Sequence, residues 1–187
     1  MAAPKQTPPL STLISQSDLE RRVSELAAEI SRDYAHAERF IAVGVLKGSV
    51  FFLTDLLKQV TVPVAVDFFQ TSSYGAATSP GEVRIKKDID LPIRGAEVLL
   101  IEDIVDTGYT LRTILDLLKF RGAKSVKLCA LLDKAERRQV DVPIDYRGFR
   151  IEDLFVVGYG LDFDERYRNL PYIAVLPAGE GDANADH

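Results

Sequence analysis

Apolar and polar positions follow two different periods along this chain. Leu19, Val23, Leu26 and Ile30 recur at helical spacing, and Ser17 with Glu20 reads as a capping box opening that helix. FIAVGVL (40–46) is a continuous apolar run, expected as a buried strand, and Val50, Leu53 and Leu57 mark a helix behind it. VAVDFF (64–69) and EVLLIED (97–103) repeat the strand pattern. The second leads through a turn into a helix with Leu111, Ile114, Leu115 and Leu118 on one face, and Gly122 stands where that helix should end. VKLCALL (126–132), FVVGY (155–159) and YIAVL (172–176) are further strands, and VRI (83–85) a short one. Continuous Val/Ile/Leu runs alternating with amphipathic helices predict an α/β fold, a mainly parallel Rossmann-like sheet flanked by helices. Such sheets bind ligands outside the carboxyl ends of their strands, where strand order reverses. The loops after residues 46, 69, 103, 132 and 157 are therefore the places for chemistry, with the first helix and residues 150–176 expected as a small hood or flap.

The organisation around that core is simple. Residues 1–12, with three prolines, read as a flexible tail, and 177–187 as a flexible acidic one. Residues 13–176 form a single domain that includes the hood. The long connection 70–82 is rich in Ser, Thr, Gly and Ala, the composition of a loop tip.

Composition narrows the function classes. The 187 residues are 47% hydrophobic, enough for a core without disulfides or structural metal. The net charge is −5, and Glu180, Asp182 and Asp186 in the C-terminal tail carry three of those charges. A nearly neutral body argues against a nucleic-acid backbone or an anionic membrane as partner. A single Cys129 excludes an intrachain disulfide and reads as a buried small hydrophobe, and His36 and His187 are too few for a histidine zinc site. No apolar run approaches the ~20 residues of a membrane span, and MAAPKQTPPL has no signal-peptide core, so a cytoplasmic location is expected.

The strongest chemical signal is VLLIEDIVDTGYTL (98–111), an apolar strand running into Glu102 and Asp103, then Asp106, Thr107, Gly108, Tyr109 and Thr110, then a helix. Gly108 permits a tight turn, and outward amides at a helix start form an anion site to which the Thr107 and Thr110 hydroxyls can add. The adjacent carboxylates can accept from sugar hydroxyls or hold Mg²⁺. Together they suggest a ribose phosphate across the strand end, against the plainer reading of an N-cap beside a solvated acidic pair. Leu46-Lys47-Gly48 follows another strand and offers amides and one ammonium, or merely a tight turn with a surface lysine.

The 98–111 string resembles the phosphoribosyl-pyrophosphate signature of type I phosphoribosyltransferases. VGVLKGSVFF (43–52) is similar to that family's pyrophosphate loop, TSSYG (71–75) to its mobile catalytic loop, and FVVGYGLDFDERYRNLPYI (155–173) to its purine-binding hood. In this order they resemble the hypoxanthine-guanine branch over roughly residues 12–176. The resemblance implies transfer of phosphoribose from its pyrophosphate donor to hypoxanthine or guanine, giving a nucleoside monophosphate and pyrophosphate. It implies donor contacts from Leu46, Lys47, Gly48, Ser73, Tyr74, Glu102, Asp103, Asp106, Thr107, Gly108, Tyr109, Thr110 and Arg168, and a cis Leu46–Lys47 peptide. Asp106 becomes the general base. Ile104, Lys134, Phe155, Val156 and Asp162 become purine contacts, with Lys134 donating to a 6-oxo group, Phe155 stacking and the Val156 carbonyl accepting. Glu102, Asp103 and Asp162 become Mg²⁺ ligands, and Arg138 lies near a pyrophosphate-contacting arginine. A homodimer or homotetramer is expected on the same ground.

On their own, Lys134 reads as a surface lysine and Phe155 and Val156 as core strand residues. Two positions depart from the resemblance: Tyr109 stands where a basic residue is frequent, and Asp164 where Asn is. The alternatives are a phosphoribosyltransferase for xanthine or a pyrimidine, or a phosphoribosyltransferase-like RNA-binding regulator, which a basic face would betray.

Overall fold

The apolar runs become strands because each side chain of a continuous run finds a covered face. The computed structural model describes residues 10–73 and 83–177. Its elements are β1 (Ser11–Ile14), α1 (Gln16–Asp33), β2 (Phe40–Val45), α2 (Val50–Leu57), β3 (Ala65–Ser73), β4 (Val83–Lys87), β5 (Glu97–Val105), α3 (Tyr109–Phe120), β6 (Ser125–Asp133), β7 (Tyr146–Arg150), β8 (Val156–Val157) and β9 (Ile173–Val175), with a 3₁₀ turn at Ala135–Arg137. Leu99 and Ile101 pack with Cys129 and Leu131 beneath α1 and α2. Val98 and Leu100 pack with Leu128 and Ala130 beneath Leu111, Ile114, Leu115 and Leu118 of α3. Alternate residues of one run thus serve opposite cores, which is why the run has no polar positions.

The main sheet has the order β4-β3-β2-β5-β6-β7. β2 pairs in parallel with β3 and with β5, the series continues in parallel through β6 to β7, and β4 returns antiparallel beside β3. The chain runs outward from β2 to β3 and then crosses to β5, so strand order reverses between β2 and β5. Their carboxyl ends, Val45 and Val105, open the crevice expected of such a reversal. A second, antiparallel sheet, β1-β9-β8, forms the hood.

Four local expectations change. The helix cap is Ser15, which is extended (φ −71°, ψ 158°) and accepts from the Asp18 amide at 3.1 Å; Ser17 is already helical. The chain leaves β1 at Ile14 and must begin α1 at once. Ser11 and Thr12, inside the stretch whose prolines read as a tail, pair with Val175 and Ala174 in the hood. β7 escapes an apolar scan because YRGFR is an edge strand with polar residues; a Cβ on its Gly148 would stand 2.3 Å from the Leu131 carbonyl. The first helix belongs to the body of the molecule rather than the hood, since Leu19, Val23, Leu26 and Ile30 face the main core. The helix end at Gly122 is as expected: α3 stops at Phe120, and Gly122 is left-handed at φ +84°.

Candidate active site

Three stretches leave strands at the crevice and meet at one glycine. β2 ends at Val45, the Leu46–Lys47 peptide is cis, and Gly48 follows. A Cβ on Gly48 would lie 1.6 Å from Asp103 Oδ2, so this turn rests directly on the acidic end of β5. A Cβ on Gly160 would lie 2.0 Å from the Gly48 carbonyl, so the hood rests on the turn from the other side. Only glycine permits both approaches. Lys47 Nζ then bridges to Glu165 Oε1 of the hood at 2.8 Å.

The turn after β5 is built for an anion. Gly108 has φ +94°, and the first intrahelical bond of α3 runs from the Arg112 amide to the Gly108 carbonyl at 2.9 Å. The amides of Tyr109, Thr110 and Leu111 precede that bond and point out of the helix start, where the backbone dipole favours negative charge. Residues 138–142 brace the turn from behind. The Gln139 and Val140 amides donate to the Thr107 carbonyl (3.0 and 3.1 Å), and Arg138 Nε donates to the Asp106 carbonyl at 3.0 Å. Arg138 also donates to Val142 O at 3.3 Å and to Asp133 Oδ1 at 2.5 Å. Three of its five N–H groups thus serve this brace.

Glu102 and Asp103 are held where carboxylates are costly. Burial, with the neighbouring Asp103 charge second, raises the Glu102 carboxyl well above the usual range, and Glu102 Oε2 is buried without a partner among the described residues. Burial also raises Asp103, opposed by the Ile104 amide and the Arg168 charge among others. A cation beside this pair would relieve both, and the donor set suits Mg²⁺, which takes one or two carboxylates and completes its shell with substrate oxygens and water. Asp162 is not gathered with them. Its Oδ2 accepts from the Glu165 amide at 2.9 Å, its Oδ1 meets Arg168 Nη2 at 2.8 Å, and no three His, Cys, Asp or Glu side chains among the described residues form a metal cluster.

The residues expected at a purine lie across the crevice. Lys134, 8% exposed, follows β6, and its amide donates to the Val105 carbonyl at 3.0 Å. Its Nζ donates to Asp153 Oδ1 at 3.2 Å. Ile104 lies in β5 and pairs with Leu132. Phe155 is 44% exposed and lies outside β8, edge-on to Phe163 at 5.7 Å, while Val156 is buried in the strand. Arg168 Nη1 donates to the Gly160 carbonyl at 2.8 Å, and its buried Nε has no partner among the described residues. Six residues between 158 and 167 have positive φ, four of them not glycine; such a concentration is typical of a segment shaped for a site. Asp164 is one of them, at φ +52°, and Arg166 answers its charge at 3.0 Å. Ser73 ends β3, and Tyr74 lies outside the described residues, as do most of the 70–82 connection and residues 1–9 and 178–187 of the two tails.

The Phosphoribosyl transferase domain family matches residues 11–164. The hypoxanthine-guanine phosphoribosyltransferase of Bacillus subtilis is 48% identical over 165 residues, covering 88% of this chain and 91% of that one. This chain belongs to the hypoxanthine-guanine phosphoribosyltransferase family. The hypoxanthine phosphoribosyltransferase of Haemophilus influenzae is 47% identical over 164 residues, 86% of this chain and 92% of that one. A solved hypoxanthine phosphoribosyltransferase from Staphylococcus aureus superposes with a TM-score of 0.86 at 44% identity, covering 89% and 91% of the two chains.

For this phosphoribosyltransferase, sequence reasoning missed a set of charged neighbours. Asp133, 2% exposed, is paired by Arg138 and by Arg147 Nε at 2.8 Å. Arg137 Nε lies 2.8 Å from Asp106 Oδ1. The position of Arg137 beside Arg138, after a buried strand ending in Asp133, was the available signal; without the fold Arg137 reads as surface charge.

Proposed function

We propose that this enzyme moves the 5-phosphoribosyl group of phosphoribosyl pyrophosphate to hypoxanthine or guanine, releasing pyrophosphate. The meeting of Gly48, Asp103 and Gly160 carries the reading, because it assembles diphosphate turn, acidic pair and hood around one crevice. The 5′-phosphate fits the amides of 107–110, and the diphosphate fits the Lys47–Gly48 turn, with the unpaired Arg168 Nε as a further donor. Glu102 and Asp103 are the residues that would hold Mg²⁺, which would supply charge neutralisation to the leaving diphosphate. The ribose passes through an oxocarbenium-like state, which the carboxylates near it stabilise electrostatically. Asp106 accepts the proton lost from the purine imidazole as the new bond forms. A cytoplasmic location and a homodimer or homotetramer are part of the same proposal.

Lys134 sets the base. An ammonium has three donors and no acceptor, so a 6-oxo group pairs with it while a 6-amino group leaves it unsatisfied. Sites built on such a bond reject the wrong partner by ~10⁴-fold or more. Incubation with donor, Mg²⁺ and each base in turn should give nucleotide from hypoxanthine and guanine and almost none from adenine, with xanthine and uracil testing the alternatives. Lys134→Gln should narrow the hypoxanthine-to-adenine ratio of kcat/KM. Comparable adenine turnover in the unmodified enzyme, or no turnover of either 6-oxopurine, overturns the reading.

A further inference from the structure

Arg137 has no part in the reaction described above, yet it joins the two ends of the site. Its Nε stands 2.8 Å from Asp106 Oδ1, close enough for an ion pair though not angled as a hydrogen bond. Its Nη1 donates to both oxygens of Asp153 at 3.4 Å, and Asp153 Oδ1 also accepts from Lys134 Nζ at 3.2 Å. Charge therefore alternates through Asp106, Arg137, Asp153 and Lys134, from the phosphate turn to the base-reading lysine. The next residue, Arg138, grips the Asp106 backbone carbonyl from behind. One arginine fixes the main chain of Asp106 and the other its carboxylate.

The two carboxylate oxygens are left unequal. Oδ1, on the Arg137 side, is buried, although the Asp106 side chain as a whole is 41% exposed. The open oxygen is therefore Oδ2. We infer that Arg137 is a positioning residue, which holds Asp106 with Oδ2 toward the incoming purine and in register with Lys134. This rests on the purine-transfer reading above. A guanidinium suits the task because its planar fork reaches two carboxylates at once, whereas an ammonium is a single point of charge. The donor's phosphates sit on backbone amides and on Lys47, so donor binding does not depend on Arg137.

Arg137 is half-exposed, so its variants should fold, and thermal melts check this. Arg137→Met should lower kcat by roughly 10–100-fold, the order of loss from a small misplacement of a reacting group, with the donor KM within about twofold. Arg137→Lys, which keeps charge but one contact, should recover part of kcat. The deciding measurement repeats Arg137→Met in an Asp106→Asn background. A residue that acts through Asp106 has nothing left to position there, so kcat should change by less than about twofold. Undiminished loss in that background, or unchanged kcat for Arg137→Met alone, overturns the positioning role while leaving purine transfer intact. An unmodified enzyme inactive on both 6-oxopurines would instead overturn purine transfer and the positioning role with it.

Discussion

Glu102 shows what a single side chain gives up for chemistry. Its carboxyl is raised well above its ordinary 4.5 by burial and by Asp103, so the folded state binds its proton more tightly than the unfolded state does. The stabilising contribution of that proton is whole below pH 4.5 and is lost as pH rises through the folded-state value. Glu102→Gln removes the titration. In chelator, its Tm should match that of the unmodified protein at acid pH and exceed it increasingly above pH 4.5, by ~2–4 °C for each kcal/mol. Added Mg²⁺ should raise Tm in the unmodified protein and much less in the variant. A Tm difference that does not grow with pH would refute this account. The identity of this residue was legible because a carboxylate pair at the end of an apolar run has no structural reason to be there. Arg137 and Asp153 were illegible because their meaning lies in what faces them across the crevice, which neither spacing nor residue type reveals.

Between elements, contact is as close as backbone allows. The turn after β2 touches the end of β5 through Gly48, and no side chain fits there without moving Asp103. Asp103 is itself tied by its Oδ1 to the Ile104 amide at 3.0 Å. Gly48→Ala must therefore part the diphosphate turn from the acidic pair, at a cost typical of overpacking, ~1–3 kcal/mol. Titration with donor should show affinity falling about tenfold or more, alongside a Tm lower by several degrees. Unchanged donor affinity would show that the contact is incidental. The buried strands and the helical stripes were readable because period and burial agree in them: the four apolar residues expected on one face of α3 are the ones it buries. β1 and β7 were not. One is four residues long with three exposed, and the other carries arginines at an edge, so in both the partner strand and not the residue type decides the structure.

At the scale of the molecule, the hood joins the first strand to the last: β1 lies against β9, Ser11 opposite Val175. The main sheet from β2 to β7 closes within residues 40–150, whereas this pairing closes almost the whole described chain. Long closures carry the larger entropy cost and form late. Native-state hydrogen exchange should find the β1 and β9 amides opening at lower free energy than those of β2 and β5, which exchange through global unfolding. Equal protection would refute a separately opening hood. The same arrangement sets a schedule during synthesis. The chain leaves the ribosome N-terminal side first, at about 5–20 residues per second, so β2, β5 and β6 can be in place while β9 is still untranslated. Ser11 has its partner only once Val175 has been made. The half of the site expected to fit the sugar phosphate can therefore be assembled before the half expected to close over the base.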